Sequence, residues 1–138
     1  MRTINYIVLH CTAGPQDQPT SEILSYWKNV MGWTNPGYHF EINTDGFIEE
    51  LFPIEKIANG VAGHNANSIH ISYKGGVDNK GRPFDNRTDA QKAAQIHLIY
   101  KLKVKFPHAK ICGHRDFPGV TKACPSFDVN DWLKTIKL

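Results

Sequence analysis

A single α/β domain, with a mixed central β-sheet flanked by helices, is the fold this sequence predicts, and three observations predict it. Short apolar runs of strand type recur at residues 4–10 and 68–73. Segments of helical character are interleaved with them, the clearest at residues 88–106, and strands alternating with helices imply a sheet covered by helices. A chain of 138 residues has the usual size for one core, and it contains no repeat or linker that would mark a second domain.

The elements follow in order. Residues 4–10 read as a largely buried strand ending at His10. Thr20, after Pro19, is placed to cap a helix running to about Val30. Residues 37–42 and 47–51 flank Asn43-Thr44-Asp45-Gly46, which predicts a hairpin turn. A further strand spans residues 68–73, and the Gly-, Asp-, Asn- and Pro-rich stretch 74–87 is expected to be a surface loop. Thr88-Asp89-Ala90-Gln91 has the form of a capping box, after which Leu98, Ile99, Leu102 and Phe106 make one apolar stripe at helical spacing. A short strand at residues 109–112 delivers His114 to a loop, and Asp128 can cap a last helix through Ile136.

Composition narrows the function classes. An apolar fraction of 41% and a charged fraction of 21% are those of an ordinary soluble globule. The net charge of +3 is too small to argue for nucleic acid, although it suits approach to an anionic polymer such as a bacterial wall. Three cysteines, Cys11, Cys112 and Cys124, cannot all pair and lack the spacing of a disulfide framework, so reduced thiols or a metal site are expected. A nucleic-acid-binding zinc module would need a closed four-ligand site, which these scattered cysteines cannot supply. The N-terminus runs straight into a strand without an apolar signal core, and no stretch is long enough to span a bilayer. Synthesis and folding in a cytoplasm, without an integral membrane segment, are therefore expected.

His10, His114 and Cys124 are the candidate metal ligands. His10 ends the first strand, while His114 and Cys124 bracket a loop that also contains Lys122. Zinc favours imidazole and thiolate ligands in a tetrahedron, and catalytic zinc sites use three protein ligands so that the fourth position can take water or substrate. Each residue also has a bland reading. A histidine at a strand end is more often a hydrogen-bonded core residue, and a lone cysteine more often a small buried hydrophobe.

The segments Val8-Leu9-His10-Cys11-Thr12-Ala13, Gly37-Tyr38-His39-Phe40, Asn67-Ser68-Ile69, Gly113-His114-Arg115-Asp116 and Lys122-Ala123-Cys124-Pro125 change that balance. In this order they resemble the zinc-dependent N-acetylmuramoyl-L-alanine amidases of the phage-lysozyme type, which are related to the peptidoglycan-recognition proteins. The likeness covers residues 4 to about 133. It implies Zn2+ held by His10, His114 and Cys124, with Tyr38 and Lys122 as catalytic residues that stabilise a tetrahedral oxyanion. It also places His64 in the groove that binds peptidoglycan or muropeptide substrate. A monomer acting on the wall after release from the cell is the context expected, and a phage or prophage endolysin the role.

Several details bear on that resemblance. Cytosolic relatives that recycle muropeptides usually carry Asp at the third ligand position, and non-catalytic peptidoglycan-binding modules lose the thiolate, whereas this chain has Cys124. Both remain alternative functions. Where family members commonly read Ser-Ile-Gly, this chain has Ser68-Ile69-His70, and the residue pattern leaves the role of His70 open. Strand alternation is expected to turn Cys11 away from the metal and His39 away from Tyr38, with Cys112 in the core. Asp116, the one acid near the proposed centre, is expected to support it from outside the ligand set.

Overall fold

Alternation along five strands separates an apolar face of the sheet from a polar one, and the second face carries the chemistry. The computed structural model describes residues 2–138. In chain order the elements are β1 (Tyr6–Cys11), α1 (Thr20–Asn29), β2 (Phe40–Ile42), β3 (Ile48–Glu50), β4 (Ser68–Tyr73), α2 (Asp89–Lys105), β5 (Lys110–Gly113) and α3 (Val129–Thr135). The sheet order is β3-β2-β4-β1-β5. β1 runs parallel to both β4 and β5, β2 is parallel to β4, and β3 closes the edge antiparallel to β2. The expected mixed sheet is present.

On one face, Ile7 and Leu9 of β1, Ile69 and Ile71 of β4 and Ile42 of β2 pack with Leu98, Ile99 and Leu102 of α2 and Val129 of α3. Each fully buried Ile or Leu stabilises the fold by roughly 1.5–3 kcal/mol, so this layer holds the domain together. On the opposite face the same strands present His10, Glu41, His70 and Ser72, all buried. Below them, Val8 packs with Val61, Cys112 and Phe117 in a smaller apolar cluster. Cys112 is thus a core residue, as expected.

Local signals read from the sequence hold where short-range hydrogen bonds decide the matter. Thr88 Oγ1 accepts from the Gln91 N–H at 3.0 Å, and Gln91 Oε1 accepts from the Thr88 N–H at 3.0 Å, which completes the capping box of α2. The Gln91 amide also donates to the carbonyls of Ile42 and Lys74, so it closes the ends of β2 and β4 as well. Asp128 caps α3 through the Asp131 N–H. In the hairpin turn Gly46 has φ +88°, a left-handed conformation that favours glycine.

Other boundaries differ from expectation. β1 runs Tyr6–Cys11 instead of residues 4–10, and β2 begins only at Phe40, so residues 37–39 are not strand. Thr20 is the first residue of α1 and does not cap it; its hydroxyl donates to Glu49 instead, and Pro19 occupies the cap position. The loop 74–87 is less superficial than its composition suggests, because its ends Lys74 and Arg87 are buried. The Arg87 guanidinium lies over the Phe127 ring, 3.4 Å from its centroid.

Candidate metal centre

The carboxyl ends of the neighbouring parallel strands β1 and β5 bring the three candidate ligands together. His10 lies on the polar face near the end of β1, one residue before Cys11. His114 follows β5 directly in a single 3-10 turn, where the Asp116 carboxylate accepts from the Gly113 N–H at 2.8 Å. Asp116 thus shapes the turn that presents His114. The Arg115 N–H in turn donates to the Cys124 carbonyl at 2.9 Å, which fixes the returning loop against it. Below Cys124, the buried Tyr73 hydroxyl donates to the Pro125 carbonyl at 2.7 Å.

The ligand atoms of His10, His114 and Cys124 all lie within 4.8 Å of one another. His10 Nδ1 and Cys124 Sγ are 3.8 Å apart. Tetrahedral zinc, with bonds of about 2.0–2.1 Å to nitrogen and 2.3 Å to sulfur, sets its ligand atoms about 3.5 Å apart, so the cluster needs little adjustment to close on such an ion. Protonation also fits. Burial pushes His10 well below the ordinary histidine range, with the neighbouring His70, His114 and Lys122 adding to the effect. His114 is lowered by burial and then by Lys122. Both shifts favour the neutral rings that metal ligation requires. In the metal-free chain the Cys124 thiol is raised by its hydrogen bond with the Cys11 side chain and by burial, only partly offset by the Cys11 main-chain N–H, and a bound cation reverses that by favouring the thiolate.

These atoms open into a cavity of about 310 Å³. His10, Tyr38, His114, Lys122 and Cys124 line one side, and Tyr26, Trp27, Met31 and Trp33 the other. Tyr38 packs edge-on against Trp27, with ring centroids 5.1 Å apart, and its own ring is 4.9 Å from His10. Gly37 makes this possible, since a Cβ there would come within 2.9 Å of the Trp27 ring. The Tyr38 hydroxyl donates to the Cys11 carbonyl at 3.2 Å. Burial and the nearby Cys124 hold its acidity well below that of a free phenol, so it is a hydrogen-bond donor. Lys122 is exposed at the rim.

His64 is not among the residues that line this cavity. Its half-buried ring lies on Phe117, 4.5 Å between centroids, and edge-on to Tyr6. Cys11 packs with the apolar core, its side chain outside the ligand cluster. His39 departs from its expected orientation. Because residues 37–39 are not strand, alternation does not apply, and the His39 ring stacks on His70 at 5.8 Å, on the same side as the site. Its structural role is as expected: Nδ1 accepts from the His70 N–H at 3.0 Å and Nε2 donates to the Lys56 carbonyl at 2.8 Å. Since Nε2 carries the hydrogen, the nearby Arg2 guanidinium is a neighbour and not a donor to it.

Sequence reasoning did not anticipate the buried polar layer behind the candidate ligands. His39, Glu41, His70 and Ser72 are each 0% exposed. The signal was present in Ser68-Ile69-His70-Ile71-Ser72-Tyr73, whose strict polar and apolar alternation marks a strand with a polar buried face.

A protein-family model for N-acetylmuramoyl-L-alanine amidases matches residues 1–127. The chain belongs to that amidase family. Among relatives, the amidase is 36% identical over 132 residues to an endolysin of Enterobacteria phage K11, covering 94% of this chain and 85% of that one. Among solved structures it is similar to the Ph2119 endolysin of a Thermus scotoductus bacteriophage, with TM-score 0.80 and 28% identity over 99% of this chain and 85% of the other. Drosophila PGRP-LB shares the fold at TM-score 0.79 and 20% identity, covering 98% and 82% of the two chains. Together these relatives make the amidase an enzyme of peptidoglycan amide hydrolysis. No helix among the described residues is long and apolar enough to cross a membrane.

Proposed function

We propose that this amidase uses one zinc ion, held by His10, His114 and Cys124, to cleave the bond between the lactyl group of N-acetylmuramic acid and L-alanine of the stem peptide. Lysis by a phage or prophage is the context the endolysin relatives support. The observation that carries the zinc reading is the convergence of three ligand atoms of the right chemistry within 4.8 Å, at the floor of a cavity that also holds Tyr38 and Lys122.

A zinc ion held by this set supplies Lewis acidity toward the scissile carbonyl and toward water. The residues do the rest. Neutral His10 and His114 direct lone pairs at one point. Lys122 brings a positive charge to the rim, where negative charge develops on the carbonyl oxygen, and the Tyr38 hydroxyl, whose one hydrogen goes to the Cys11 carbonyl in the free site, serves that oxygen by exchanging acceptors. The α1 side of the cavity, Trp27 above all, gives the substrate an apolar wall. His64 stands beyond the lining, so its part is contact with glycan or peptide that extends past the cavity. Every group in this scheme comes from a single copy, so a monomer suffices.

Wall lysis alone does not say which bond is cut. Digestion of purified peptidoglycan is expected to release new L-alanine amino termini and peptide-free glycan strands, without new reducing sugar ends. New reducing ends in place of alanine amines would overturn the assignment. Activity on intact sacculi as well as on soluble muropeptides is expected for a lysis enzyme, and action on soluble fragments alone would return the chain to recycling.

A further inference from the structure

We propose that His70 is a positioning residue of the metal centre: by accepting a hydrogen bond from His10 Nε2–H, it holds His10 in the tautomer whose bare Nδ1 faces Cys124 and His114. This inference rests on the zinc reading above. His70 is the residue at which the chain departs from Ser-Ile-Gly, and it stands in a chain of donors and acceptors whose direction is set at one end.

That end is a main-chain amide. The Val61 N–H donates to the Asn65 side chain at 2.8 Å, and since a main-chain N–H can only donate, the atom it meets is the amide oxygen, Oδ1. The same oxygen lies 2.9 Å from His70 Nε2, so that nitrogen carries the hydrogen. A neutral imidazole has one N–H, which leaves His70 Nδ1 as an acceptor. It sits 2.8 Å from His10 Nε2, and that nitrogen must therefore be the donor. The remaining lone pair of His10 is on Nδ1, the atom 3.8 Å from Cys124 Sγ. The order imposed by one backbone amide thus passes through Asn65 and His70 to the atom that meets the metal.

The His70 ring is held rigidly enough to do this. It is fully buried, stacked on His39 with planes 8° apart, and its own main-chain N–H donates to His39 Nδ1 at 3.0 Å. On its other side stands Gly60, where a Cβ would fall 2.3 Å from His70 Nδ1. Only glycine leaves the ring its place. Groups that orient a metal-binding histidine through its second nitrogen typically change metal affinity by about 10–100-fold when removed.

The experiment compares zinc affinity, by competition with a chromophoric chelator, and His10 ring-nitrogen chemical shifts in the parent, His70→Phe, His70→Gln and Gly60→Ala. His70→Phe keeps a ring without an acceptor and is expected to lose about 10–100-fold in affinity. His70→Gln can accept from His10 and donate to Asn65, so affinity near the parent's is expected. Gly60→Ala should act like His70→Phe by displacing the ring. In the parent, with or without metal, the shifts should place the hydrogen of His10 on Nε2. Parental affinity in His70→Phe, equal losses in the Phe and Gln variants, or a hydrogen on His10 Nδ1 in the metal-free parent would each overturn the inference. If His70→Phe does not fold, the parent spectrum decides alone. A parent that takes up no zinc removes the zinc reading, while the metal-free spectrum still decides the role of His70.

Discussion

The main-chain N–H of Cys11 donates to the Cys124 sulfur at 3.2 Å. Two neighbours in sequence thus reach the centre in different ways: His10 through its side chain, and Cys11 through its backbone, while the Cys11 side chain lies in the core 3.8 Å from the Ser126 hydroxyl. An amide donor to sulfur favours the thiolate, so the Cys11 main chain assists Cys124, whereas the Cys11 thiol opposes its ionisation in the metal-free chain.

Cys11→Ala is therefore expected to keep stoichiometric zinc and turnover while losing about 1–2 kcal/mol of stability from the vacated core space. Denaturant unfolding and metal analysis on the same preparation check both parts. Loss of zinc from a folded Cys11→Ala protein would show that the thiol itself belongs to the centre.

Purified enzyme is expected to hold one zinc per chain. Strong chelators should abolish turnover and zinc should restore it, with a rise in thermal stability that grows with the free zinc concentration, because an ion that binds only the native state stabilises it by mass action. Full activity in protein freed of metal would reject the mechanism.

The ligand and the charged and hydroxyl groups beside it should separate in their effects. Cys124→Ser is expected to weaken zinc binding and abolish turnover. Lys122→Ala and Tyr38→Phe are expected to keep the metal and lose turnover by on the order of a hundredfold or more, the usual cost of removing one preorganised oxyanion donor. Near-parental rates in both metal-loaded variants would remove Lys122 and Tyr38 from the reaction.

Glu41 predicts a pH effect on stability. Neither carboxylate oxygen has a hydrogen-bond partner of good geometry among the described residues. Burial pushes its pKa up to about 8, offset only in part by the Ser72 hydroxyl and the Lys74 ammonium. The folded value lies above the ordinary one of 4.5, so between the two the native chain keeps a proton that the unfolded chain releases. The associated stability is complete below about pH 4.5 and is lost as pH rises through about 8. Glu41→Gln, which is always neutral, should match the parent near pH 4 and exceed it near pH 9 by on the order of a few kcal/mol. Urea unfolding at both values tests this, and a stability difference independent of pH would reject it.

Much of this protein is legible in its sequence, and the legible parts share a cause. The capping box of Thr88 and Gln91, the hairpin turn through Gly46 and the cap at Asp128 depend on hydrogen bonds and backbone preferences within a few residues. The spacing of Ile69 and Ile71 along one strand and of Leu98 and Leu102 along one helix names the core, because burial follows periodicity. The candidate set of His10, His114 and Cys124 is likewise expected from residue chemistry and from a family resemblance in motif order, and the structure brings those atoms within 4.8 Å of one another.

What required the tertiary structure was every choice between competing partners. Thr20 could cap a helix or serve Glu49, and the approach of β3 gave it to Glu49. The turn of residues 37–39 put His39 on the side that strand alternation denied it. His70 became the neighbour of His10 because β4 lies parallel to β1 in the register that sets His70 beside Val8, with Gly60 leaving room for the ring. A sequence states which groups can hydrogen-bond and how often they recur along the chain. Which donor meets which acceptor across 60 residues, as for His10 and His70, is decided only when packed strands exclude water and leave each buried group its nearest partner.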